Sequence, residues 1–238
     1  MNEITERLQS LRLAGMSRQW QTLFELKKLD SLTFNDGLQL LLQSEIDERR
    51  LRRDVRLVKQ ANFRYQASLD NLYLDPKRGI LESLVNSLAT GQYLDKGESI
   101  IITGSSGSGK SYLGSALGYQ ACYQGYKVTY YNIAKLLEAV KLARLEGSAN
   151  SFLIKLAKID LLIIDDFGLQ MLKGAQQTDL MEIIEDRHSL KSTIIIGQLP
   201  VSGWHEVLGG NIVSDAIMDR IVHTAHRFEL KGESLRKK

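Results

Sequence analysis

The chain of 238 residues contains one cysteine, Cys122. A lone thiol excludes an intrachain disulfide and any cysteine-based zinc cluster, so a reducing, cytoplasmic setting is expected. No apolar run reaches the length of a membrane span, and the polar N-terminus shows no signal-peptide pattern. No membrane partner is therefore expected. Residues 1 to about 68 carry no strand signal. The last apolar segment lies at 225–230. What is present, 43% hydrophobic and 25% charged residues, suits one α/β domain with a small appendage. The net charge of +3 says less than its distribution.

The organising stretch is Gly104-Ser105-Ser106-Gly107-Ser108-Gly109-Lys110-Ser111, followed by Tyr112. It fits G-x-x-x-x-G-K-[ST] at every defined position. A β-branched run, Ser99 to Thr103, precedes it as a buried strand. A helix with small residues on one face, Tyr112 to Ala121, follows it. Glycines let the backbone curl around a phosphate chain and turn N–H groups inward at a helix N-terminus. Lys110 can reach the β- and γ-phosphates, and the Ser111 hydroxyl can ligate Mg²⁺. The alternative is a Gly/Ser-rich turn with no ligand. Cys122, later in the same helix, reads as a small core residue.

Apolar positions from Ile4 to Leu26 recur at spacings of three and four, which predicts helices broken near Gly15. Ser31 or Thr33 can cap the next helix, which runs from about Phe34 to Ala61. Its C-terminal part bears Arg49, Arg50, Arg52, Arg53, Arg56 and Lys59, with Arg64 just beyond, against one acid, Asp54. Phe63 and Tyr65 lie among them. Such a stripe suits phosphate-backbone contacts with nucleic acid, or an acidic protein surface. A solvated helix face, helped by Glu45, Asp47 and Glu48, is the alternative. Residues 62–76 read as a linker ending at Pro76, and 78–90 as a helix. The expected domains are 1–68, helical and binding DNA or a partner, and 69–238, holding the nucleotide.

Ile159 to Asp166 is an apolar run that ends in two carboxylates. Carboxylates at a strand C-terminus lie beside the phosphate loop in a doubly wound sheet. Asp165 is expected to hold Mg²⁺, directly or through water, and Asp166 to orient or deprotonate the attacking water. An Asp-Asp turn is the bland reading. Gln198 follows the strand Ser192 to Gly197, where it can touch the γ-phosphate or the water, or serve as an ordinary strand-ending amide. Residues 211–222 form a late helix with Asp219-Arg220. The alternation of strands and helices predicts a mainly parallel sheet with helices on both faces.

With these pieces in order the chain resembles the AAA+ ATPases, and within them the DnaC/IstB group of P-loop NTPases, nearest to the IstB-type transposase helpers. The resemblance rests on Gly104 to Ser111, Leu161 to Gly168, Ser192 to Pro200, Ile217 to His223 and Gly232 to Arg236. It implies sheet order 5-1-4-3-2, ATP and Mg²⁺ as cofactors, and an ATP-driven homo-oligomer on double-stranded DNA that serves a transposase; the separate helical lid usual in AAA+ proteins is expected to be small or absent here. It assigns Lys110 and Ser111 to Walker A, Asp165 to the Walker B metal ligand and Gln198 to sensor 1. Arg220 becomes the arginine finger and Arg236 the sensor-2 arginine. Asp166 stands where many AAA+ proteins have Glu, one methylene longer. A replicative helicase loader of the DnaC type and a monomeric small-molecule P-loop kinase are the competing readings.

Overall fold

The computed structural model describes residues 3–235. These residues form two compact units, divided after Arg56. In the first, α1 (Glu3–Ser10) and α2 (Ala14–Glu25) precede a long α3 (Phe34–Ala61), whose last turn belongs to the second unit. The break between α1 and α2 falls at residues 11–13, and Gly15 lies inside α2. Gly15 is there for close packing: a Cβ would come within 2.3 Å of the Ser44 carbonyl oxygen on α3. The Gly15 and Met16 N–H groups, orphaned at the start of α2, donate to the Glu45 carboxylate at 2.8 and 3.3 Å. Burial pushes the Glu45 carboxyl up, but Arg49 and these two N–H groups outweigh it and hold it below its ordinary range. The Thr33 hydroxyl accepts from the Asp36 N–H at 3.2 Å and so opens α3.

The second unit is a five-stranded sheet: β1 (Ile100–Gly104), β2 (Val128–Asn132), β3 (Leu161–Phe167), β4 (Ser192–Gly197) and β5 (His226–Leu230). Every neighbouring pair is parallel, in the order β2-β3-β4-β1-β5, the expected 5-1-4-3-2 read from the other edge. The central strands are apolar on both faces because both faces are covered. Ile100, Ile102, Leu161, Ile163, Ile194 and Ile196 pack on one side with α4 (Glu82–Ala89) and α6 (Lys110–Tyr123). Ile101, Leu162, Ile164 and Ile195 pack on the other with α7 (Ile133–Leu145), α8 (Ala149–Ala157), α9 (Ala175–Arg187) and α11 (Ile212–Val222). Two short helices, α5 (Gln92–Asp95) and α10 (Trp204–Val207), complete the set. The helix expected over 78–90 is shorter, because Gly79 takes a left-handed φ of 81° and leaves only a 3-10 turn before α4.

Two features set the stage for the site. Small residues bring α6 close to the sheet: a Cβ on Gly114 would lie 2.5 Å from Ile196 Cδ1. The N-terminus of α6 is thereby fixed at the carboxyl end of β1. Arg187, 1% exposed, ties the end of α9 to the start of β4 and the turn after α8. It donates to the carbonyls of Leu156 and Ile159 at 2.8 Å each and of Ser192 at 2.5 Å. Burial lowers its pKa to about 10, so it stays charged near neutral pH. Among the described residues no helix is long and apolar enough to cross a membrane, and no helical unit follows β5.

Candidate functional site

At the carboxyl ends of β1, β3 and β4 lies a cavity of about 250 Å³. Its walls include Ser106, Gly107, Gly109, Lys110, Ser111 and Tyr112 from the glycine loop and the head of α6. Asp165, Asp166 and Gln198 face the same space, with Tyr65 and Leu235 at its sides. Three stretches of sequence, one suited to phosphate, one to metal and one to water, therefore share one cavity. Gly104, Ser105 and Ser108 belong to the loop without lining it. Gly107 takes a left-handed φ of 77°, a conformation open to glycine that L side chains rarely adopt. The buried Lys110 ammonium donates to the Ser105 carbonyl at 2.7 Å, folded back along its own loop.

Alternation along β3 should send Asp165 and Asp166 to opposite faces of the sheet. A bulge prevents this. Ile164 pairs with Ile195 and Phe167 with Gly197, so the two aspartates stand opposite the single residue Ile196. Asp166 adopts a φ of 61°, a left-handed conformation that Asp tolerates better than most residues. Both carboxylates thereby reach the cavity.

Their settings differ. Asp165 is 2% exposed; it accepts hydrogen bonds from the Tyr130 hydroxyl and, at 2.7 Å, from the Asp166 N–H. Burial, and then the bond to Asp165, push the Tyr130 hydroxyl up and keep it a donor. Asp166 is half-buried and accepts from Asn132 Nδ2 at 2.7 Å, while Arg64 Nη1 lies 3.5 Å from the same oxygen. The Asn132 Oδ1 atom also caps α7, accepting from the Ala134 N–H at 3.0 Å. Sequence reasoning missed Tyr130 and Asn132. Their only signal is position: both lie on β2, whose tip pairs Asn132 with Asp165.

Arg64 belongs in sequence to the basic stripe, but the structure sets it beside Asp166, its guanidinium 5.3 Å from the Tyr65 ring centroid. The rest of the stripe lies on α3. Arg49 pairs with Glu45 at 2.8 Å, Arg52 with Glu48 at 2.6 Å and Arg53 with Asp54 at 2.9 Å. Arg50 stands 4.0 Å from Asp54, and Arg56 and Lys59 are exposed. The upstream acids thus partner several of these arginines in helical i,i+4 pairs.

Arg220, near the end of α11, lines a different crevice from the cavity at the glycine loop. The acids on its own helix, Asp215 and Asp219, pair with His205 and His223. Arg220 instead pairs with Glu185 on α9 and donates to the Ala216 carbonyl at 3.0 Å. Arg236 lies outside the described residues.

The donor set suits Mg²⁺. Among the described residues no group of three or more His, Cys, Asp or Glu side chains could hold a metal. Mg²⁺ needs none, since it takes one or two protein oxygens and completes its shell with water and phosphate. Ser111 and Asp165 offer one hydroxyl and one carboxylate on a single cavity.

Residues 6–238 match the family model described as IstB-like ATP binding protein. An insertion-sequence ATP-binding protein of Sinorhizobium fredii is 38% identical over 232 residues, covering 98% of this chain and 95% of the relative. The IS1162 ATP-binding protein of Pseudomonas fluorescens is 40% identical over 196 residues, covering 82% and 85%. Among solved structures, the DnaC helicase loader is similar in fold, with a TM-score of 0.59 at 22% identity, covering 69% of this chain and 97% of that one. The chain belongs to the IstB-like ATP binding family.

Proposed function

From that membership and the geometry of the cavity, we propose that the chain is a DNA-dependent ATPase that assists a transposase. The observation that carries the ATPase reading is the β3 bulge, which sets two carboxylates of different environment against Lys110 and Ser111. The loop N–H groups and Lys110 bind the triphosphate. Ser111 and Asp165 would hold Mg²⁺, which supplies charge neutralisation of the phosphates when bound. Asp166 and Gln198 orient the attacking water; Asp166 takes its proton as the bond from the γ-phosphorus to the bridging oxygen breaks, leaving ADP and phosphate.

Asp166→Asn is expected to keep ATP affinity within a few-fold and lower turnover by about 10²- to 10⁴-fold, the usual worth of a general base. Asn tolerates the left-handed backbone, so the fold is expected to persist. Isothermal titration beside a phosphate-release assay checks this. Equal loss of binding and turnover would assign Asp166 a structural or metal role.

The N-terminal helical unit would carry the DNA or partner contacts, and the exposed arginines of α3 suit a duplex backbone. Arg50 and Arg56 are the informative pair, because replacing them leaves the buried Glu45 with its Arg49 partner. Arg50→Gln with Arg56→Gln is expected to weaken duplex binding and lower the log–log salt slope by about 0.9 for each DNA phosphate left without its cation. Binding isotherms across salt concentrations read this directly, and an unchanged slope would make α3 a merely solvated face.

The insertion-sequence names of the relatives support a transposase partner over a replicative helicase. Phosphate release measured with and without duplex DNA tests the whole reading: stimulation by duplex is expected. Transfer of phosphate to a small acceptor, with no effect of DNA, would point to a kinase, and stimulation by single strands only to a loader.

A further inference from the structure

A loop that turns its N–H groups toward an anion must turn its carbonyls elsewhere, and each needs a donor. Several carbonyls of this loop have distinct partners. Ser105 accepts from Lys110 Nζ at 2.7 Å and from the Ser108 N–H at 3.3 Å, and Gly109 accepts from the Leu113 N–H at 2.9 Å. Gly107 and Ser108, between them, are served from distant parts of the chain. Gly107 accepts from the Leu235 N–H at 2.9 Å. Ser108 accepts from Arg78 Nη2 at 3.3 Å, and the same Nη2 reaches the Glu233 carbonyl at 3.3 Å.

Arg78 is itself held in place. Its carbonyl accepts from the Lys231 N–H at 2.9 Å. The next residue, Gly79, sits so close to β5 that a Cβ would lie 2.0 Å from the Glu229 carbonyl oxygen. Residues 231–235 run across the outside of the loop, where a Cβ on Gly107 would meet Ser234 Oγ at 2.1 Å, and Leu235 reaches the cavity wall. One guanidinium therefore joins the loop to the segment that covers it.

We propose that Arg78 is a positioning residue of the nucleotide site. It clamps the glycine loop to residues 231–235, so that the Ser108 carbonyl stays turned outward and the loop keeps the shape in which its remaining N–H groups can meet phosphate. The inference rests on reading the loop as a phosphate cradle. Its effect falls on binding of any nucleotide with a β-phosphate, and not on the chemistry at Asp166.

The test uses the full chain with Mg-ADP and Mg-ATP as probes. Arg78→Ala is expected to raise both dissociation constants several-fold, up to about tenfold, as the loop spends less time in the ordered shape that Arg78 holds. Turnover at saturation should stay within about twofold. Arg78→Lys should recover part of the affinity. Glu233→Ala should bind as the parent does, because the carbonyl that Arg78 reaches is backbone. In the absence of nucleotide, the amides of residues 105–109 should exchange hydrogen faster in Arg78→Ala. Parental affinity and parental exchange in that variant would overturn the clamp. If the parent itself bound no nucleotide, the cradle reading would fail, and the exchange measurement would still decide whether Arg78 orders the loop. Should Arg78→Ala not fold by circular dichroism, Arg78→Gln is measured in its place with the same two outcomes.

Discussion

Replacing Lys110 with Ala is expected to abolish DNA-stimulated phosphate release while leaving the fold in place. The ammonium is the one cation of the glycine loop and lies on the cavity wall beside Ser111 and Asp165. Removing a single preorganised donor to a developing anion costs about 10² to 10³ in rate. Loss of a full charge from a buried cradle should reach at least that. The structural cost is small by comparison. The side chain belongs to neither apolar cluster, so its loss opens no cavity in the core. A melting temperature within a few degrees of the parent, together with phosphate release at background, is the expected pair of results. Parental turnover in Lys110→Ala would move the active site elsewhere.

The second large effect is expected at Arg220. Arginines that reach the γ-phosphate from a neighbouring subunit are worth about 10³ to 10⁵ in rate in other NTPases. In this chain Arg220 lies outside the cavity that Lys110 lines, so it cannot serve its own site without rearrangement. Its side chain is 27% exposed and its partner Glu185 53% exposed, so the pair is partly solvated. Pairs of that kind contribute about 0 to 1 kcal/mol. Exchanging Glu185 for a phosphate on an adjacent protomer therefore costs little. Arg220→Ala should bind ATP as the parent does and lose about 10³-fold or more of the DNA-stimulated rate. Thermal melting separates this from a packing role: a variant whose activity falls only as far as its folded fraction falls would leave Arg220 structural.

Much of this site was legible because its residues are consecutive. The glycine loop announces itself by spacing, and an apolar run ending in two aspartates has few readings once a phosphate loop precedes it. The sheet order came with the resemblance, while the alternation of runs pointed only to a parallel sheet. What the sequence hid depends on distance across the fold. Nothing local marks Tyr130 or Asn132 as partners of Asp165 and Asp166; only the register of β2 against β3 joins them. Arg64 reads as one more arginine in a basic run until the chain after α3 carries it to Asp166. The bulge at Asp165 and Asp166 is equally silent, since strand alternation predicts opposite faces. The break expected near Gly15 exists, at residues 11–13, but Gly15 does not make it. A glycine within helical spacing suggests a break, whereas here it lets α2 lie against the backbone of α3.

A mixture of two inactive variants tests the proposal that subunits gather on DNA and that Arg220 of one completes the site of its neighbour. Lys110→Ala keeps a normal Arg220, and Arg220→Ala keeps a normal loop. Mixed on duplex DNA with ATP, they should form some interfaces that join an intact loop to an intact arginine, and part of the DNA-stimulated phosphate release should return. Mixed oligomers shown to form by co-purification of the untagged variant with a tagged one, with phosphate release still at background, would contradict a site shared between subunits.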